Sequence, residues 1–396
     1  MAFTVDGSAI VNQLYNEITG STDISLVDNT NIVDIGRQLQ SMTSTDNLYS
    51  KIYNKVGLTI IENKYYKGDF QNLYKTMSEY GSIIELLRVK PFVATKDPSR
   101  NPTAGTYNKF TQYNPAEIEA KYIENESAWQ IEYWKPTDQL WSAFKSVEAM
   151  NSFINNGIVV QVMSDINARL EALASNAIAN MIGETVYHNF PTPEINGYNA
   201  NSFPTCQNIR KLYNDLHPDH QLTVAQCLAM NDESFVKFFV KTVLDTRKRL
   251  TRYSKVFNIE GATTFTSPED INLTILDPVN NAMTVNVYSS VYHKELLSLG
   301  NFNTVPYWQS SGQSYDTSIL SEVNVKIKTP DGTNPTVEFP GVLAVLYDKE
   351  AVICFNEHRK ATSFYNPDID MTFIQDKYRS GYANVLDRNF VVFYVA

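Results

Sequence analysis

The feature that most constrains this chain is an unusually long run of helical period. Val159, Met163, Ile166, Leu170, Leu173, Ala177 and Met181 recur at steps of three or four, which puts them on one face of an α-helix. Counted over residues 147–182, the pattern predicts a rod of roughly 50 Å at about 1.5 Å per residue. Asn155-Asn156-Gly157 is the place where a kink is expected, because Gly costs about 1 kcal/mol in a helix interior. Residues 86–145, just before the rod, read as two extended limbs around a polar tip. Residues 86–95 form the first limb. The tip, KDPSRNPTAGTYNKFTQYNP, carries three prolines and one glycine. The second limb returns through Trp129, Ile131, Tyr133 and Trp141, the first three alternating with Gln130 and Glu132 as in a half-buried strand. A loop of this size in a compact domain is normally functional or an interaction arm. A long rod beside a projecting arm suits a building block better than a pocket.

Around this centre the chain reads as α+β. Residues 1–45 are rich in Asn, Ser, Thr and Asp, with scattered anchors (Ile10, Val11, Leu14, Tyr15), and predict an arm that gains order by lying against something else. Two short helical patterns in 48–80 flank a turn at Lys67-Gly68-Asp69. A loop over 188–206 contains Pro191, Pro193 and Pro204. Asn231 or Asp232 is expected to cap a helix running to about Arg252, with Phe235, Phe239, Val243 and Leu250 inside. Strand-like runs follow at 272–276, 284–288, 322–328 and 342–347. The last of these turns at Asp348-Lys349-Glu350 into 351–355, a hairpin signal. The apolar run 389–395 predicts a central strand buried on both faces.

Composition narrows the function. Net charge is −10, which argues against a primary nucleic-acid binder because phosphate contacts need a basic face. A container that holds DNA without gripping it is compatible with that charge. Charged residues are only 19% of the chain while Tyr numbers 24 and Phe 20, so aromatic interfaces and a Tyr-rich β core are both open readings. Cys206, Cys227 and Cys354 form no CxxC pair and fit free thiols in a reducing cytoplasm. No secretory leader and no membrane span is expected.

Candidate chemistry is thin. His217-Pro218-Asp219-His220 reads as a solvated turn rather than a metal site. Cys354 with His358 offers a nucleophile and base, but Cys354 alternates with Ile353 and Phe355 as a core residue does. Arg247-Lys248-Arg249, with Arg252 and Lys255, falls in the last turn of the predicted helix, where cations suit the dipole; a solvated face or a phosphate contact are both compatible with it. Residues 367–370, PDID, read as a turn. Glycine-rich phosphate loops, GxSxG and HExxH are absent from the sequence. No catalytic residue, metal or cofactor is expected.

The order of arm, two-stranded loop, long helix, mixed α/β middle and closing strand resembles the tailed-phage major capsid proteins of the Hong Kong 97 fold. Four stretches are similar to the short-tailed picovirus, phi-29-like group: IYNKVGLTII (52–61), VLDTRKRLT (243–251), VLAVLYDKEAVICFNEHRKATSFYNP (342–367) and RSGYANVLDRNFVVFYV (379–395). The resemblance implies a shell protein made in a bacterial cytoplasm and resident in the virion. Residues 1–85 would be an N-terminal arm with adjoining helices, and 86–145 an extended loop over a neighbouring subunit. Residues 146–205 with 366–396 would be a peripheral domain with the spine helix, and 206–365 an axial domain. Lys96, Arg100, Lys109, Phe110, Trp129 and Trp134 are the expected intersubunit contacts. Hexamers and pentamers of the chain, a scaffolding protein, a portal and packaged double-stranded DNA are the implied partners. Some relatives add an immunoglobulin-like domain after the last strand; the sequence stops at Ala396 and none is expected. Some members of the fold lock their shells with Lys–Asn bonds, whereas Lys96 and Lys109 stand in polar runs and a non-covalent shell is expected. A connector or tail component, or a cytoplasmic enzyme, are the alternative readings. Residues 300–340, rich in Ser, Gly, Asn and Pro, match no part of this plan.

Overall fold

The computed structural model describes residues 6–20, 28, 30–44, 47, 48, 50–52, 55, 70–75, 83–89, 118–124, 127–190, 201–288, 302–308, 316–327 and 334–396. The chain divides into two compact units, Met77–Asn125 and the remainder (Met1–Thr76 with Glu126–Ala396). In the smaller unit, β2 (Ile83–Val89) pairs antiparallel with β3 (Ile118–Glu124), in register from Ile83 opposite Glu124 to Val89 opposite Ile118. The first limb of the expected loop is therefore partnered by 118–124. The stretch around Trp129 belongs to the larger unit, and Trp141 lies in a helix (Thr137–Ala143) rather than in a limb. The expected tip lies outside the described residues.

The larger unit is organised by the long helix. Helices α1 (Gly7–Thr19), α2 (Ile32–Met42), α3 (Thr137–Ala143) and α4 (Val147–Ile154) lead into it. Ser146 caps α4, its hydroxyl accepting from Ala149 N–H at 3.1 Å. A π-helical turn at Asn155–Val159 then passes into α5 (Val160–Asn189), 30 residues long. The interruption expected at Asn155-Asn156-Gly157 is thus a widening of the helix, the usual outcome of inserting one residue into a continuous turn. Ile154, Ile158, Ile166, Leu170, Ala174, Ile178 and Ile182 are buried at steps of four and multiples of four. Leu173 is only half-buried, its expected place taken by Ala174. The side chains of Val159 and Met163 lie outside the described residues.

The N-terminal stretch is more structured than its polar composition implied. Ile10, Val11 and Leu14 on α1, and Ile32, Ile35 and Leu39 on α2, are buried, and Gly7 N–H donates to the Asn151 side chain on α4 at 2.7 Å. A few apolar residues at helical spacing are enough to dock a segment that is otherwise Asn- and Ser-rich.

Two sheets share α5. The first has the order β1 (Tyr74–Lys75), β11 (Val352–Asn366), β12 (Met371–Asn384), β4 (Ser127–Pro136). The β11–β12 pair runs antiparallel from Val352 opposite Asn384 to Asn366 opposite Met371, with an irregularity between His358 and Lys360. Thr372, Ile374, Asp376 and Tyr378 form its buried face. The second sheet has the order β5 (Cys206–Asn208), β13 (Phe390–Tyr394), β10 (Val342–Asp348), β6 (Ile271–Leu276), β7 (Phe302–Val305). Every residue of β10 and β13 is buried, as the apolar run at the end of the sequence predicts for an interior strand. Helices α6 (Ile209–Leu216), α7 (Val224–Ala229) and α8 (Glu233–Leu250) cover this region. The Asp232 carboxylate caps α8, accepting from Phe235 N–H at 2.9 Å, and Phe239 meets Phe393 edge-on.

Two local expectations are overturned. The turn after β10 forms, with Ala351 N–H donating to Asp348 C=O at 2.8 Å, but β10 and β11 do not pair. β10 pairs with β6 and β13 and β11 with β1 and β12, so the turn hands the chain from one sheet to the other. Residues 284–288 lie in helix α9 (Asp277–Tyr288), not in a strand. Asp277 and Pro278 favour that helix start, the carboxylate by the dipole and Pro because first-turn N–H groups need no partner. Residues 366–396 are shared between the sheets, β12 in one and β13 in the other.

Residues 300–340 contribute β7, a short helix α10 (Thr317–Leu320) and the hairpin β8 (Val323–Lys326)–β9 (Thr336–Phe339), which lies on α5. A side chain at Gly183 would strike Val325 of this hairpin, so glycine sets how closely β8 approaches the helix.

Candidate functional site

The groups with catalytic potential are engaged structurally. Cys206 and Cys354 are fully buried, and burial pushes both thiols far above the usual range; it pushes Cys227 up to about 12. None is a thiolate nucleophile. The His358 side chain lies outside the described residues. His217 and His220 frame a turn, as expected. His217 Nδ1 meets Tyr213 C=O at 3.0 Å, His220 Nδ1 meets the Tyr213 hydroxyl at 2.9 Å, and His220 Nε2 lies 3.3 Å from Asp232. Among the described residues no three His, Cys, Asp or Glu side chains are grouped to hold a metal ion, and no helix is long and apolar enough to cross a membrane. A cleft of about 630 Å³ beside α5 has small and aromatic walls, with Glu171 and Tyr307 the titratable groups among its described lining residues.

What the larger unit does present is exposed aromatic surface. On the outer face of the four-stranded sheet, Trp134 of β4 stands opposite Phe373 of β12, which stands opposite Phe364 of β11. Ring centroids are 4.9 Å apart for Trp134–Phe373 and 5.2 Å for Phe364–Phe373. Trp134 is 44% exposed, Phe364 53%, and Ile369 in the adjoining turn 51%. That is a large apolar area to leave in water, and isolated surfaces seldom carry such a row without a partner. The row behind it is polar: Gln375 Nε2 donates to Glu132 at 2.8 Å and to Gln130 at 3.1 Å.

Trp129 faces the other way. Its ring stacks on Tyr378 at 4.4 Å, its Nε1 donates to Ser380 Oγ at 2.9 Å, and the Arg169 guanidinium of α5 lies 5.1 Å from it. Of the six expected contact residues, Trp134 is therefore on the open face and Trp129 is engaged within the subunit. Lys96, Arg100, Lys109 and Phe110 lie outside the described residues. Sequence reading missed Phe364, Phe373 and Ile369. The usable signal was an aromatic on each side of the Asn366-Pro367-Asp368 turn, with Phe373 alternating with buried Thr372 and Ile374.

A second exposed cluster follows α8. Lys248, Arg249, Arg252, Tyr253, Lys255, Val256 and Phe265 are all exposed, and the Tyr253 and Phe265 rings lie 4.7 Å apart. The loop is held in shape. Ser254 and Thr264 exchange backbone hydrogen bonds at 3.0 Å, Thr266 N–H donates to Leu250 C=O at 2.9 Å, and Asn258 bonds both backbone groups of Ala262 at 2.7 Å.

A profile of Phi29-like phage major capsid proteins matches residues 8–394, almost the whole chain. The chain belongs to that family. It is a structural component of the virion that forms the shell of the phage head, and it is not an enzyme. The alternatives of a connector, a tail component or a cytoplasmic enzyme fall away. Solved structures similar to this capsid protein include a chain from the capsid of Staphylococcus phage Andhra (10% identity, TM-score 0.49, covering 82% of this chain and 83% of that one). A chain from the structure of the head fiber and inner core protein gp22 of native bacteriophage P68 is similar at 13% identity and TM-score 0.48, covering 83% and 85%. A third, from the capsid of cyanophage P-SCSP1u, has 12% identity and TM-score 0.41, covering 82% and 86%. No curated protein sequence matches the chain.

Proposed function

We propose that this major capsid protein builds its shell as a subunit of the Hong Kong 97 type, arranged in hexamers and pentamers. The β2–β3 unit serves as the extended loop that overlaps a neighbour. Helix α5 with the four-stranded sheet serves as the peripheral domain, and the five-stranded sheet with α6–α8 as the axial domain. Lys96, Arg100, Lys109 and Phe110 on the loop, and Trp134 on the sheet, contact neighbouring subunits. A scaffolding protein and a portal assist assembly, and the shell encloses double-stranded DNA without reading its sequence. The observation that supports this reading is that Met77–Asn125 forms a compact unit of its own. A body that folds without its arm, and an arm that reaches a neighbour, together let many modest contacts add up to a stable shell.

The test is to replace residues 84–123 by a short Gly-Ser linker and co-express the variant with its neighbouring gene products. The expected result is a folded subunit, by circular dichroism, that forms no closed particle in sedimentation or negative-stain imaging. Closed shells of normal size would refute the role given to the loop.

A further inference from the structure

We propose that the tip of the β11–β12 hairpin on one subunit docks against the basic loop after α8 on a second copy of the chain. The two surfaces have the same apolar character and opposite charge. At the hairpin tip, the exposed Trp134, Phe364 and Ile369 are rimmed by the exposed carboxylates of Asp138, Asp368 and Asp370. Asp138 belongs to this rim because Thr137 N–H, one residue before it, donates to Asp370 C=O at 3.4 Å. At the loop, Tyr253, Val256 and Phe265 are rimmed by Lys248, Arg249, Arg252 and Lys255.

Neither rim is neutralised at home. None of these three carboxylates and four cations has an ion-pair partner among the described residues of its own subunit. Elsewhere on the surface exposed charges do pair, as in Arg169–Asp165 and Lys237–Glu233 at 2.6 Å, and in Lys211–Asp215 at 3.0 Å. The tip is fixed by backbone and side-chain bonds that leave its charges outward. Asp368 N–H donates to Asn366 Oδ1 at 3.0 Å, and the Tyr365 hydroxyl donates to Asp370 at 2.7 Å. Two rigid, unlike patches on one molecule make a heterologous contact, in which each copy offers its tip to one neighbour and its loop to another, as a closed shell requires.

Nucleic acid is the other conceivable occupant of a basic, aromatic loop. The observations favour a protein partner. Val256, at 53% exposed, gives nothing to a phosphate backbone, and a chain of net charge −10 itself supplies the matching acidic, apolar surface.

The experiment is a charge-reversal cycle: Asp368→Lys at the tip, Arg252→Glu with Lys255→Glu at the loop, and all three together. Melting of the unassembled subunit by circular dichroism checks that each variant keeps its fold; these side chains are exposed and wild-type melting is expected. Assembly is followed by light scattering and sedimentation at two salt concentrations. Each one-sided reversal should slow assembly about tenfold, more at low salt, and the combined variant should recover most of the loss. Wild-type assembly by both one-sided variants, or a combined variant no better than the worse of them, overturns the proposal. Binding of a short DNA duplex is measured in parallel. Loss of duplex binding in the loop variant with unchanged assembly assigns the loop to nucleic acid and also overturns it.

Discussion

Glu184→Gln is expected to stabilise the subunit at pH 8 and to do almost nothing at pH 4.5. Glu184 sits on α5 where the helix meets the sheets, and its Oε2 is buried with no hydrogen-bond partner among the described residues. Burial raises the carboxyl from its ordinary 4.5 to about 7, opposed by a hydrogen bond from Asn384. Between those two values the native subunit keeps a proton that the unfolded chain has released. Native stability therefore falls as pH rises from about 4.5 to about 7, and the loss is complete above the folded value. A shift of this size at about 1.36 kcal/mol per unit comes to about 3 kcal/mol. Glu184 as a residue is half-buried, which reduces this toward about 2 kcal/mol. That is still a large share of the roughly 5–15 kcal/mol typical of a domain. Glutamine keeps the shape and the bond to Asn384 but has no charge to strand. The assay is urea unfolding of the unassembled subunit, wild type and variant, at pH 4.5, 6 and 8. The difference between them should grow with pH and level off above 7. A difference that does not change with pH, or a variant that is less stable at pH 8, would refute the reasoning.

Two further outcomes follow from the fold. Leu170→Asp should yield no folded subunit. Leu170 is buried at 6% exposure, the lost side chain alone costs about 2–5 kcal/mol, and an unpaired carboxylate adds several more; a soluble variant with a cooperative melt would show that this face of α5 is not core. Mature particles boiled in denaturant and reductant should run as one band at the single-chain mass of 44.9 kDa, since Lys96 lies beside Asp97 and Lys109 in a run of polar residues; a ladder of heavier bands would mean that the shell is covalently locked.

The elements read most accurately from sequence are those whose signal is local and strong. The period of α5, the Asp232 cap, the buried face of α8 and the apolar run of β13 all rest on residues within a few positions of one another. The hairpin failed because strand partners are chosen by the whole fold. Asp348-Lys349-Glu350 has good turn chemistry, so a local reading joins β10 to β11. Instead β10 is flanked on its two edges by β6 and β13, and β11 by β1 and β12. Residues 284–288 carry β-branched side chains, yet the helix begun at Asp277 and Pro278 runs through them. The N-terminal helices were hidden by composition: six buried apolar residues are few among so many Asn, Ser and Thr. Of the aromatic row at the hairpin tip, Phe364 and Phe373 flank one turn and can be read locally, but Trp134 stands more than 200 positions away and only the strand order β11-β12-β4 brings it in.

That strand order also bears on how the subunit yields under load. The two sheets share no strand, but both touch α5, and the chain passes between them at the turn after β10 and again before β13. The first crossing is held by Asp348, whose carboxylate accepts from Glu350 N–H and from the Thr266 hydroxyl at 2.8 Å, while Asn389 at the second crossing donates to Thr266 at 3.0 Å. Burial raises the Asp348 carboxyl, and the hydrogen bonds from Glu350 N–H and the Thr266 hydroxyl oppose it. A hinge there would break buried hydrogen bonds at roughly 1–3 kcal/mol for each group left unpaired. The Gly341 carbonyl adds a further tie, accepting from Val395 N–H at 2.9 Å, and the backbone of Gly341 sits at φ 77° so close to Val395 that no side chain fits. Motion between the sheets is thus costly, and assembly is expected to leave this joint intact, the two sheets moving as one body on α5.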